Sequence, residues 1–270
     1  MNYKIHQYFL IIIAFALLLS SCNNDNKQII TAKTTKLAIS KAHGSSGYEQ
    51  YKKWIKHHDS TIIIYDLYDL SLDSALSIMN IVDGVIISGG PDVNPSLYNE
   101  DSLAHICEVP DNYRDSLEFQ TIEYAYSHLL PILGICRGQQ ILNVYFNGSL
   151  IADIPTKHGT SVTHRCKAKE CLHKIIMDAD NTNLGYLKGD TILVNSYHHQ
   201  AINRIAESFD IVAMSEDSII ESVCLKSYIN YPSFFLAVQF HPEHLIDTKV
   251  SNTIATNFIS ALHKKSQLRK

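Results

Sequence analysis

The sequence predicts an α/β fold, a single domain on a doubly wound, mostly parallel sheet with helices on both faces. Three observations carry this. Short apolar runs at 36–40, 61–65, 82–88, 131–135, 191–195, 210–214 and 234–240 alternate with helical stretches at 48–58, 71–80, 114–128, 139–147 and 250–264, the rhythm of a parallel sheet. Residues 36–270 are enough for one well-filled core, and no internal repeat or low-complexity segment interrupts them. The segments richest in chemistry follow directly on apolar runs, where a doubly wound sheet binds its ligands, at the carboxyl ends of the strands.

In chain order, residues 1–21 read as a cleaved signal. Lys4 and His6 precede an apolar core from Tyr8 to Leu19, and Leu19-Ser20-Ser21-Cys22 follows. A core of about a dozen residues is too short to span a bilayer. The pattern resembles a bacterial lipoprotein signal, which implies removal of residues 1–21, acylation of Cys22 and a protein held at a membrane facing the periplasm or cell exterior. Residues 22–35 are polar and read as the lipidated Cys with a flexible tether. The hydrolytic chemistry argued below falls within residues 36–270.

Val85-Ile86-Ile87-Ser88-Gly89-Gly90-Pro91 reads as a buried strand that breaks into two glycines. Such a loop can lay a backbone N–H, that of Gly90, beside a reacting carbonyl, with Gly89 next to the substrate. Arg114, Asp115 and Glu118 fall three and four apart on one helix, where an intrahelical salt bridge explains them as well as substrate binding does.

Gly134-Ile135-Cys136-Arg137-Gly138 follows an apolar run and reads as a strand turning abruptly into a helix, with a thiol at the bend. Flanking glycines let backbone pass close by, and the helix N-terminus favours a thiolate and later an oxyanion. The N–H of Arg137 is the second expected oxyanion donor, and the side chains of Arg137 and Gln140 are candidate substrate contacts, a helix-surface role being equally open to Gln140. Residues 219–225 predict an antiparallel strand. After the run ending at Val238, Gln239-Phe240-His241-Pro242-Glu243 places a histidine at a strand end. His241 can take the thiol proton while Glu243 holds its other ring nitrogen.

SGGPDVNP at 88–95, Arg114-Asp115-x-x-Glu118, PILGICRGQQ at 131–140, NGSLIADIP at 147–155, VNSYHHQ at 194–200 and QFHPE at 239–243 together resemble the class I glutamine amidotransferase-like superfamily. Within it they resemble the free-standing gamma-glutamyl hydrolase branch, the gamma-glutamyl-gamma-aminobutyrate hydrolase-like cysteine peptidases. The resemblance implies a flavodoxin-like sheet, a Cys136–His241–Glu243 triad and cleavage of a gamma-glutamyl amide to glutamate and an amine through a thioester. It also implies that VNSYHHQ frames the site with His198 or His199 near the substrate; a structural role in the loops is equally open. The alternatives are an amidotransferase-type glutaminase and a non-catalytic lipoprotein that binds gamma-glutamyl peptides.

Composition excludes other classes. A net charge of −4 with scattered basic residues gives no phosphate-tracking stripe, so nucleic acid is not an expected partner. Fourteen histidines invite a metal reading at His198 and His199 with His158 and His164, but neither HExxH nor a paired CxxC accompanies them, and no metal or cofactor is expected. With Cys22 reserved for lipid and Cys136 kept free, Cys107, Cys166, Cys171 and Cys224 remain. Cys166 and Cys171 flank a short polar stretch that a disulfide can close; being unpaired stays open for all four, above all Cys224 in its apolar run.

Overall fold

The computed structural model describes residues 33–159, 162–166, 171–227 and 229–269; the expected signal, Cys22 and most of the tether lie outside them. A nine-stranded sheet forms the centre. Its strands are β1 (Lys36–Ile39), β2 (Ile63–Asp66), β3 (Val85–Ile87), β4 (Ile132–Ile135), β6 (Cys171–Met177), β7 (Thr191–Ser196), β9 (Phe209–Ser215), β10 (Ile220–Leu225) and β11 (Phe235–Val238), while β5 (Leu150–Ile151) and β8 (Ala201–Ile202) pair separately. The spatial order is β2-β1-β3-β4-β11-β10-β9-β6-β7. β2 to β11 pair in parallel, and the strands beyond β11 pair antiparallel.

The parallel strands are buried on both faces, which is why they read as unbroken apolar runs. Alternate side chains separate into two cores. Leu37, Ile39, Ile86, Leu133, Leu236 and Val238 pack on one face under α1 (Ser46–His58) and α6 (Lys249–Leu268), with Trp54, Ile55, Ile254 and Phe258 as the facing side chains. Ala38, Val85, Ile87, Ile132 and Ala237 pack on the other under α2 (Leu72–Met79), α3 (Asn112–Ser127) and α4 (Arg137–Tyr145). Each fully buried Leu, Ile or Phe contributes about 2 kcal/mol from its removal from water.

The helices begin where caps dictate. Side-chain oxygens of Ser45, Ser71, Asp111 and Thr248 accept the N–H groups of Tyr48, Ser74, Arg114 and Ser251 at the starts of α1, α2, α3 and α6, each substituting for an acceptor the first turn lacks. A short helix, α5 (Ile154–Lys157), starts in the same way at Asp153. Among the described residues no helix is long and apolar enough to cross a membrane.

Strand order places the site. From β1 the chain crosses to β2 on one side, then returns past β1 to β3 on the other, so β1 and β3 are neighbours whose outgoing connections part. Beyond their carboxyl ends opens the crevice of a doubly wound sheet. Ser40, the Ser88–Gly90 loop, Cys136 and His241 all stand just past the ends of β1, β3, β4 and β11. The antiparallel strand expected at 219–225 forms as β10. The expected runs at 191–195 and 210–214 form as β7 and β9, within the antiparallel wing rather than the parallel core.

Candidate active site

Cys136 is the hinge between β4 and α4, with φ 54° and ψ −108°. A non-glycine residue there is strained by about 1–3 kcal/mol, and the surroundings hold it. Its N–H donates to Val238 O at 2.8 Å and its carbonyl accepts from Gln139 and Gln140 at 3.0 and 3.3 Å. The flanking glycines are required by space: a Cβ on Gly138 would lie 1.9 Å from Ile87 O, and one on Gly134 would meet Leu142 Cδ1 at 2.5 Å and Gly138 O at 2.9 Å.

His241 follows β11, with Cys136 among the groups that act on its ring; its Nδ1 lies 2.6 Å from Glu243 Oε1. Glu243 is buried on a 3-10 turn, Pro242–His244, pinned by Ser251 Oγ, which donates to Pro242 O at 2.7 Å and accepts from Trp54 Nε1 at 3.0 Å. Burial alone would lower the His241 pKa, but the Glu243 carboxylate, then Cys136, outweigh it and hold the ring well above its ordinary 6.5. Gly89 closes the third side, where a Cβ would lie 3.0 Å from His241 Cε1 and 3.6 Å from Cys136 Cβ. Ser45, Gly47, Tyr48, Tyr51, Gly89, Gly90, His241, Glu243 and His244 line a cavity of about 270 Å³.

The donors of the glycine loop are set by Arg114. Its guanidinium donates from Nη2 to Ser88 O at 2.9 Å and Gly89 O at 2.7 Å, and Gly89 N–H donates to Tyr51 Oη at 2.9 Å. Across a trans peptide the N–H of Gly90 points opposite to the Gly89 carbonyl and therefore away from Arg114. The N–H of Arg137, first residue of α4, is among those a helix start leaves without an intrahelical acceptor.

Other sequence expectations meet a different arrangement. The side chain of Arg137 does not face the cavity: it is 1% exposed and pairs with Asp115 and Glu118. Gln140 is also interior, donating to Gln200 O at 3.0 Å and Gln239 Oε1 at 3.2 Å. His198 is buried, with Nδ1 2.9 Å from Gln200 O, and His199 bridges Asp92 and Asp153 at 3.1 Å each. Arg114, Asp115 and Glu118 combine the expected intrahelical ion pair, 2.9 Å between Arg114 Nε and Glu118 Oε1, with contacts to both the loop and the elbow. Cys166 and Cys171 are joined as a disulfide.

Tyr51 and Asn195 are site residues that the sequence reading did not single out. Tyr51 sits in the second turn of α1 after the Ser45 cap, a signal visible only once α1 is known to cover β1. Asn195 donates Nδ2–H to His241 O at 2.9 Å and accepts His241 N–H at 2.8 Å, fixing the backbone of His241. It lies inside VNSYHHQ, beside the more conspicuous histidines.

Glu118 is the shared partner of Arg114 and Arg137, and both guanidiniums hold its carboxyl below the usual range against the cost of burial. Replacing one member of a buried ion network leaves the others uncompensated. Glu118→Gln is therefore expected to lose about 3–5 kcal/mol of unfolding free energy in urea titration; a loss under about 1 kcal/mol would show that the network does not hold the elbow and loop together.

The chain is 34% identical over 166 residues to a Schizosaccharomyces pombe protein described as a glutamine amidotransferase, covering 62% of this chain and 64% of that one, just under two thirds of its length. It is 29% identical over 201 residues to the gamma-glutamyl-gamma-aminobutyrate hydrolase of Escherichia coli K12, covering 67% of this chain and 72% of the relative. In structure it is similar to a Thermoplasma acidophilum protein described as part of a GMP synthase, with a TM-score of 0.59 and 19% identity over 87% of this chain and 98% of that one, which shows the glutamine amidotransferase-like fold. Residues 29–243 match the Peptidase C26 model, and the chain belongs to that family.

Proposed function

We propose that the protein is a cysteine hydrolase that cleaves gamma-glutamyl amide bonds. The observation that carries this is the meeting of His241, with Glu243 at 2.6 Å, and the Gly89–Gly90 loop at one cavity, with the strained Cys136 directly beside that loop, its Cβ 3.6 Å from where a Cβ on Gly89 would lie. Family membership and the Escherichia coli relative's name support the reaction class.

The Cys136 thiolate attacks the side-chain amide carbon, and the N–H groups of Gly90 and Arg137 receive the developing oxyanion. His241, protonated in the ion pair, gives its proton to the departing nitrogen as the C–N bond breaks, and an amine leaves. A gamma-glutamyl thioester remains. Water then loses a proton to the neutral imidazole and attacks the same carbon; the C–S bond breaks, glutamate is released and the thiolate–imidazolium pair is restored. Glu243 holds the ring through Nδ1, so that Nε2 is the atom that moves the proton.

The test is glutamate release by the purified protein over a panel of gamma-glutamyl-gamma-aminobutyrate, gamma-glutamyl dipeptides, folyl-polyglutamate and glutamine. We expect release from a gamma-glutamyl amine or peptide, with Cys136→Ala at least about 10⁴-fold slower. Turnover of glutamine alone would favour the glutaminase reading, and no turnover of any member would favour a binding protein.

The ion pair also fixes the pH response. Because the His241 pKa is raised, the alkaline fall of kcat/KM is expected well above pH 6.5. Glu243→Gln removes the largest raising influence and should bring that fall back toward 6.5; a limb unmoved by the substitution would contradict the assigned roles. Tyr51, Tyr197 and His244 also face the ring and are unchanged in that variant. By linkage, protonated His241 stabilises the fold fully below pH 6.5, and this contribution is lost as pH rises through the folded value.

We further propose that the enzyme is an exported lipoprotein held at a membrane through Cys22, a reading supported by the signal-like residues 1–21 and by the Cys166–Cys171 disulfide, since such bonds persist in oxidising compartments. In detergent phase partition the full-length protein should enter the detergent phase and Cys22→Ser the aqueous phase. Equal partition of the two would sink the anchor.

A further inference from the structure

We propose that His164, His173, His198 and Glu221 form a site for a divalent transition metal ion, with zinc the best match. The four come from different parts of the antiparallel wing. His173 lies on β6, Glu221 on β10, His164 in the segment before β6 and His198 just after β7. All are more than nine-tenths buried, at 4%, 7%, 4% and 0% exposure for His164, His173, His198 and Glu221.

Their ligand atoms converge on one carboxylate oxygen. Glu221 Oε1 lies 3.0 Å from His173 Nε2, 3.6 Å from His164 Nδ1 and 3.6 Å from His198 Nε2. The ligand atoms of His164, His173 and Glu221 all fall within 4.8 Å of one another. Zinc bonds of about 2.0–2.1 Å in a tetrahedral shell put ligand atoms about 3.4 Å apart, the spacing seen around Oε1. Only the His173 contact fits a hydrogen bond; 3.6 Å is too long for one. The buried His164 Nδ1, His198 Nε2 and Glu221 Oε2 have no hydrogen-bond partner, which is unusual for buried polar atoms.

The outer contacts orient the lone pairs toward the same point. His198 Nδ1 is held by Gln200 O at 2.9 Å and His164 Nε2 by Asp217 Oδ2 at 3.1 Å, so each ring presents its other nitrogen to the cluster. A ligating histidine is fixed by a carbonyl or carboxylate in this manner. Three imidazoles and one carboxylate suit zinc better than magnesium or calcium, which take oxygen ligands.

Two other carboxylate–histidine groups are less suited. Both nitrogens of His199 already bridge Asp92 and Asp153, and Nδ1 of His241 is taken by Glu243. His164, His173 and Glu221 are the ligands whose atoms lie mutually close, His198 Nε2 approaches through the shared Glu221 oxygen at 3.6 Å, and the ion's role is to pin the His164 segment and the end of β7 to the sheet. Asn195 and Tyr197, which contact His241, lie on that same stretch.

The experiment is zinc binding by the purified full-length protein after chelator stripping, read as zinc per chain by elemental analysis and as Tm with and without added Zn²⁺. We expect one zinc per chain and a raised Tm in the wild type, with His199→Ala retaining both. His173→Ala and Glu221→Gln should each weaken zinc binding by at least about 100-fold. No stoichiometric zinc and no Tm response in the wild type would overturn the site whether or not the variants fold, as would undiminished binding in Glu221→Gln. The readout is metal content, so it stands or falls separately from the hydrolase reading.

Discussion

Everything at the site depends on one buried ion network. Arg114, Glu118, Asp115 and Arg137 are at most 5% exposed in their side chains, and four charges in such a place cost several kcal/mol each to desolvate. They balance in number, two of each sign, but charge is not all they carry. Arg114 holds the carbonyls of Ser88 and Gly89, and Arg137 begins the helix of the elbow. Both meet at Glu118, with Ser40 at the end of β1 donating to the same carboxylate at 2.7 Å. Three strand ends are thereby referenced to one side chain on α3. An apolar core would hold α3 against the sheet equally well, but it offers no donors to turn the loop's carbonyls inward.

The strain at Cys136 is tolerated for a related reason. Strand β4 must end and α4 begin within one residue, since Ile135 still pairs with Val238 and Arg137 is already helical. The close approach of Gly138 to Ile87 brings the start of α4 down onto β3, so the thiol stands beside the glycine loop. A larger residue at 138 would lift the helix, relaxing the bend and separating the Cys136 thiol from the glycine loop.

The parallel core was legible because burial on both faces makes its strands unbroken apolar runs, and the Cys136, His241 and Glu243 positions because their motifs stand at the ends of such runs. The missed strand β6 has the buried pattern of one-sided alternation, but Leu172 and Ile176 face outward at 51% and 42% exposure, which erases the polar half of the signal. β5 and β8, two residues each, are too short for any period. Arg137 and Gln140 were misplaced because nothing local tells which way a polar side chain on a buried helix turns; Asp115, Glu118 and Gln239 decide it from elsewhere in the chain. The histidines misled through proximity in sequence. His198 and His199 are adjacent yet point into different networks, while His173 and Glu221, which join His198, are far apart in the chain.

The antiparallel wing is therefore part of the site's construction rather than an appendage. Asn195 takes both the N–H and the carbonyl of His241, so the backbone of His241 is fixed by β7, the strand farthest from β2 in the sheet order. That edge strand has a neighbour on only one side, and its end would be free to move if pairing with β6 were all that held it. Two further restraints act there. The Cys166–Cys171 disulfide ties the preceding segment to the start of β6, and His164 O accepts from Ser196 Oγ at 2.7 Å and His198 N–H at 3.1 Å. The histidines gathered around Glu221 draw the same segment onto β10. His241, carried on a turn after β11, thus inherits its position from a loop secured far away in the sequence, and loosening that loop changes where its imidazole stands relative to Cys136.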